Sequence, residues 1–231
     1  MAERKTRSGS SDKSKTSTQK AVDVLKDLIF SNKLPSGSNH LESELAELLG
    51  MSRTPVREAT LILQSRGLVE VKPRHGIRIL PLSPDDMGEI YEILTELESL
   101  AAELAANQKH KAQAFNAAER AISQMDRALE KDDRISWAKA DDAFHSALVT
   151  LGGNSRIAAI TDMYNDRVIR ARLITLNLRP KPTKSNDDHR AVLKAIRDGK
   201  GKQARELHKA HREQAQEILL DILKKYGLHQ L

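Results

Sequence analysis

Four side chains able to bind a cation fall on apolar helical stripes, where polar groups are costly. In "DDAFHSALVTLGGN", Asp141 stands inside a stripe formed by Trp137, Phe144, Leu148 and Leu151, and His145 follows one turn later at its edge. In "DDHRAVLKAI", His189 shares a helical face with Val192, Leu193 and Ile196. In the last helical stretch His211 lies on the stripe of Ala204, Leu207, Ala215, Ile218 and Ile222, with His208 at its edge. Burying such groups unpaired would cost several kcal/mol. Two readings are open: a hydrogen-bonded core cluster, or a divalent cation that satisfies all four. The chain has no cysteine, so a metal site would be built from N and O ligands, which suits zinc, nickel, manganese or iron. A catalytic role finds less support. No H-E-x-x-H helix is present, and Asp142 points away from the stripe, so no general base stands beside the ligands.

The elements that must position these residues are helices. Ala, Leu, Glu, Lys and Arg dominate and aromatics make up only 3%, a composition that suits helices rather than a β-sandwich. From Asp85 to about Tyr226 the pattern reads as roughly six helices, broken near 108–111, 131–134, 152–154, 179–185 and 198–201. No apolar run reaches the roughly eighteen residues needed to span a bilayer, so no membrane partner is expected. The polar start of the chain argues against a secretory signal, and with the lack of cysteine it fits a cytoplasmic protein.

The first third has a different character. Residues 1–80 hold 14 Lys and Arg against 9 Asp and Glu, a net +5, while residues 81–231 hold 24 against 23, a net +1. A localised basic excess points to a polyanion partner for that part of the chain. Residues 1–16 read as a disordered basic tail. From 17 to 80 the pattern is a helix to about Ser31, a break at "KLPSG", a short helix closed by Gly50, and a third helix in "SRTPVREATLILQSRG" with Ser52 or Thr54 as its N-cap. Two short strands, "LVEV" and "IRIL", flank "KPRHG". Three helices and a hairpin form a winged helix-turn-helix pattern, and "PLSP" supplies a linker over residues 81–86. In such a module the third helix enters the major groove by its N-terminal residues. Arg53 and Arg57, four apart, project from one face and match the acceptors of guanine. Ser52 and Thr54 can bond phosphate at the helix start. Arg74, His75 and Gly76 place charge and a small residue at the hairpin tip.

"LESELAELLGMSRTPVREATLILQSRGLVEVKPRHGIRIL" resembles the DNA-binding domain of the GntR family of bacterial transcription regulators, through its "SRTPVREA" core and "GLV…HG" wing. The resemblance implies that Arg53 and Arg57 read operator bases and that His75 and Gly76 reach the minor groove. Ser43 stands where many relatives have an Arg that contacts DNA. Residues 87–228 resemble the FCD effector-binding domain of the FadR-type branch, whose metal-binding members carry D-x-x-x-H and two later histidines. Asp141, His145, His189 and His211 match that set, with separations of 44 and then 22 residues between the histidines.

What this resemblance implies is a mainly α protein, with a winged helix-turn-helix followed by an all-α bundle. It would act as a homodimeric repressor on palindromic half-sites of double-stranded DNA. A small carboxylate effector would bind over a zinc, nickel or manganese ion and shift the heads about the linker. "YEILTELES" carries Leu94 where relatives often have an Arg that clamps the effector. Arg167, on the apolar face beside Tyr164, is the expected substitute, with a structural ion pair as the competing role. The functional alternative is a metal-dependent hydrolase or oxygenase with an accessory DNA-binding head.

Overall fold

The computed structural model describes residues 15–227; most of the expected basic tail, residues 1–14, lies outside them. The head comprises α1 (Ser17–Phe30), β1 (Asn39–His40), α2 (Glu42–Leu49), α3 (Arg53–Ser65), β2 (Val69–Lys72) and β3 (Gly76–Ile79). Thr16 caps α1 by accepting from the Gln19 amide. Gly50 ends α2 in the left-handed conformation, the usual helix stop for glycine. One apolar core joins Leu25 and Ile29 of α1, Leu45 of α2, Val56, Ala59 and Leu63 of α3, and Ile77 and Ile79 of the wing.

The wing has three strands in the order β1-β3-β2, all antiparallel. β1 was not expected, because a two-residue strand leaves no periodicity to detect. It pairs Asn39 with Arg78 and His40 with Ile77. This pairing also gives Gly76 its structural reason. The residue sits at φ +76°, and a Cβ there would come within 2.1 Å of the His40 carbonyl oxygen.

The bundle comprises six helices: α4 (Pro84–Ala106), α5 (Asn116–Glu130), α6 (Arg134–Leu151), α7 (Ser155–Thr175), α8 (Thr183–Arg197) and α9 (Gly201–Lys225). α4 starts inside the stretch read as linker. Ser83 accepts from the Asp86 amide, Pro84 occupies the first turn, and Asp85 and Asp86 complement the positive end of the helix dipole. The free connection therefore shrinks to residues 80–83. α4 and α9 run antiparallel, as contacts from Gly88 to Gln216, Glu98 to His208 and Glu103 to Arg205 show. Asp133 caps α6 and Asn154 caps α7. A core of alanines, larger aliphatics and aromatics, drawn mainly from α4, α5, α6 and α8 and including Phe144, holds the middle of the bundle together. Among the described residues no helix is long and apolar enough to cross a membrane.

Candidate metal centre and nucleic-acid interface

α6, α8 and α9 bring Asp141, His145, His189 and His211 to one buried point, with one ligand atom from each lying within 4.8 Å of the others. His145 Nε2 and His189 Nε2 stand 3.6 Å and 3.5 Å from the two Asp141 oxygens. Ligand atoms around one ion at about 2.1 Å are at most about 4.2 Å apart, so only a small contraction would close the set. His145 Nε2 and both ring nitrogens of His189 are buried without a hydrogen-bond partner. Such orphaned acceptors or donors are costly, and a cation would satisfy those that face it. Burial, reinforced by the neighbouring His211, holds His189 well below its usual range, and burial also lowers His211. Both imidazoles are therefore kept in the neutral, metal-ligating form. Burial alone would raise Asp141, but Arg172 and the histidines hold its carboxyl below the ordinary range.

Further residues complete the arrangement and were missed in the sequence. Glu98 of α4 accepts from His145 Nδ1 at 2.8 Å and lies 3.1 Å from His208 Nε2. Asp188 lies 3.5 Å from His211 Nδ1. A carboxylate on the far nitrogen of an imidazole fixes its tautomer and aim, and Glu98 is placed to do this for His145. Arg172 of α7 pairs with Asp141 at hydrogen-bonding distance, with both side chains nearly fully buried. His208, placed by its stripe at an edge, is completely buried. The signal was available for Glu98, which shares a helical face with Tyr91, Leu94 and Ala102, the same acid-in-a-stripe pattern that singled out Asp141. The cluster opens onto a cavity of about 300 Å³ lined in part by Trp137, Arg134, Arg172, Arg179, Arg212 and Ile218.

Tyr164 and Arg167 are not part of this cavity. Arg167 donates to the Arg66 carbonyl at 3.2 Å and to both Asp86 oxygens at 3.1 Å, while its guanidinium lies 5.9 Å from the Tyr164 ring centre. It packs over Gly67, at φ +66°, where a Cβ would fall 2.1 Å or less from three guanidinium atoms. The expected clamp is thus a contact between head and bundle. On its partly exposed face of α7 it meets the residue that follows α3, and not the cavity beside the histidines. α7 makes further contacts of this kind: buried Asp166 pairs with Lys26 and Arg66, and Arg170 donates to the Leu80 carbonyl and Ser36 Oγ.

On the head, Ser52, Arg53, Thr54 and Arg57 are exposed at the start of α3, opposite buried Val56, Ala59 and Leu63. Ser52 takes the cap position without a side-chain cap bond. Arg53, Arg57, Arg74 and Gly76 line one groove between α3 and the wing tip, with Ser43 on its rim. His75 is exposed beside it, its Nδ1 2.9 Å from the Pro73 carbonyl oxygen.

Comparison with known proteins agrees with this architecture. Residues 17–79 match the model of bacterial regulatory proteins of the gntR family, and residues 89–214 match the FCD domain. The chain is 43% identical over 131 residues to an HTH-type transcriptional regulator in the TAR-I ttuE-ttuC' intergenic region of Agrobacterium vitis, covering 56% of this chain and 77% of that protein. It is 35% identical over 130 residues to a probable D-xylose utilization operon transcriptional repressor of Paenarthrobacter nicotinovorans, with 56% of each covered. In fold it is similar to E. coli McbR/YncC, at a TM-score of 0.75 and 24% identity over 92% of this chain and 99% of that one. The two sequence relatives are regulators, and the hydrolase or oxygenase alternative finds no support among them. The chain belongs to the GntR family of transcriptional regulators, with a winged helix-turn-helix joined to an FCD domain.

Proposed function

We propose that this regulator is a repressor whose grip on its operator is controlled by a small carboxylate effector bound beside a divalent metal ion in the FCD domain. The observation that carries the reading is the convergence of Asp141, His145, His189 and His211 on one buried point with imidazole nitrogens left unpaired. Zinc, nickel or manganese fits the all-N/O donor set, and bound there it would offer open positions to an acid's oxygen atoms. Arg53 and Arg57 would read base edges, Ser52 and Thr54 phosphate, and Arg74, His75 and Gly76 the neighbouring groove. Binding as a homodimer to palindromic half-sites follows from the geometry of such heads.

α7 offers a route between the two sites. Arg172 faces Asp141 at the cavity, while Asp166, Arg167 and Arg170 on the same helix hold the head and the start of α4. An effector carboxylate competing with Asp141 for Arg172 would bias the position of α7 and so the spacing of the two heads. The test is a gel-shift titration of the native upstream DNA with candidate acids, with and without a chelator, alongside elemental analysis. Acid-dependent release that a chelator abolishes is the expected result. Operator binding indifferent to both acids and chelator would overturn the reading.

A further inference from the structure

The donors around the cavity are not used evenly. Arg172 is engaged by Asp141, Arg134 donates to the carbonyls of Leu176 and Arg179, Lys184 pairs with Asp188, and Lys181 lies 3.7 Å from Asp132. Two cations remain. Arg179 spends Nε on Thr175 Oγ1, but its Nη2 is enclosed with no acceptor. Arg212, only 2% exposed, forms an ion pair with Glu98 at 3.7 Å, but that distance is beyond a hydrogen bond, and its Nε and Nη2 have no acceptor. Its guanidinium lies 4.6 Å from the Tyr91 ring centre, and the Tyr91 hydroxyl is itself buried without a partner. Arg179 and Arg212 both line the cavity that holds Asp141, His145 and His211. Burial lowers the Arg179 pKa from its ordinary value, and the neighbouring Tyr91 and Asp141 offset only part of that shift.

Enclosed guanidinium nitrogens without an acceptor are expensive, and those of buried Arg212 and partly buried Arg179, with the buried Tyr91 hydroxyl, form a built anion site. We infer that Arg179 and Arg212, backed by Tyr91, form a second anion-binding corner, so that the effector carries two anionic groups: one at the histidine cluster and one in this corner. The inference rests on the effector reading above and narrows it from a small carboxylate to a small dianion. A monocarboxylate would leave the corner unsatisfied, and a polar site left unpaired discriminates strongly against the ligand that fails to fill it.

The test uses the full-length, metal-loaded protein and calorimetric titration at matched ionic strength. Acetate and propionate are compared with malonate and succinate, and a phosphorylated hydroxy acid tells whether the second anion is a carboxylate or a phosphate. The dianions should bind at least about tenfold tighter than the monocarboxylates, as one lost charge-assisted contact implies. In Arg179→Gln and, separately, Tyr91→Phe, that preference should shrink severalfold while metal content stays unchanged. Tyr91→Phe keeps the ring under Arg212, so it remains informative if the first variant folds poorly. Equal binding of mono- and dianions, or discrimination untouched in both variants, would overturn the corner. Mono- and dianions releasing the operator equally would sink the corner and spare the effector reading. A preference that Arg179→Gln abolishes, without any effect on operator binding, would do the reverse. Failure of every acid to bind overturns both.

Discussion

The two halves of this regulator put their chemistry in opposite places. The head has an apolar interior in which Thr60 is the one buried polar residue among those described, and its charged residues lie outside on α3 and the wing tip. The bundle buries Glu98, Asp141, Arg172, Arg212 and four histidines. Groove readers meet a rigid polyanion on its surface, so their side chains need water until the moment of binding. On the proposed effector reading, a small ligand would have to be surrounded, with its polar contacts prepared inside a low-dielectric interior. The head can therefore lose a functional side chain without unfolding. The bundle cannot easily do so, because each functional group there is also a structural counter-charge.

Asp141→Ala tests that contrast with the largest effect. It strands Arg172 without its partner in the core, and breaking a buried pair in this way costs about 3–5 kcal/mol. Thermal unfolding should show the loss in the bundle; an unchanged Tm would mean that Arg172 needs no counter-charge. Acid should act next, and chiefly on the bundle. His208 is pushed down to about 4 from its ordinary 6.5 by burial, and His189 and His211 are lowered as well. The unfolded chain then takes up protons that the folded chain refuses. Stability is complete above about pH 6.5 and falls as pH drops towards 4, by on the order of 3 kcal/mol for His208. Denaturant titrations of chelator-treated protein from pH 7 to 4.5 measure this, and a flat profile would show that the histidines have partners in the metal-free fold. Arg53→Ala and Arg57→Ala should each cost about 1–3 kcal/mol of operator affinity, with reduced base discrimination. Neither should change Tm, and wild-type discrimination in both variants would remove α3 from the recognition surface.

The same contrast explains what could be read in advance. The helices of both halves were legible from apolar period and stop signals, because Gly50 and Asn154 act locally, whereas Pro84, read as linker, opens α4. The four-residue cluster was legible because polar residues on apolar stripes violate a pattern. Glu98 and His208 violate it too, yet they belong to helices whose neighbours across the bundle are set by tertiary packing. No spacing rule shows that α4 lies antiparallel to α9 and meets His145 from behind. Arginines were the least legible residues. Arg167, Arg170, Arg172 and Arg179 all come from one stretch, and a long flexible side chain lets each serve a different neighbour. Two of them turn to the head and its connection, and two to the cavity.

Arg167 gives the finest division between the regions. Its partner Asp86 is about half exposed, with 47% of the side chain accessible, and its own side chain is 24% exposed, so the ion pair is strongly screened. Arg167→Ala should therefore cost no more than about 1 kcal/mol in global stability. Its consequence should appear in docking, since Arg167 links the Arg66 carbonyl just after α3 to Asp86 at the start of α4. Hydrogen exchange should quicken around 66–68 and 84–87, where the lost contacts lie, and remain unchanged around His145 and His189. Acid affinity measured by calorimetry should equal that of the wild type, because no atom of Arg167 reaches the cavity wall. A several-fold loss of acid affinity with normal exchange at the end of α3 would return Arg167 to the ligand site and move the boundary between the two regions one helical turn along α7.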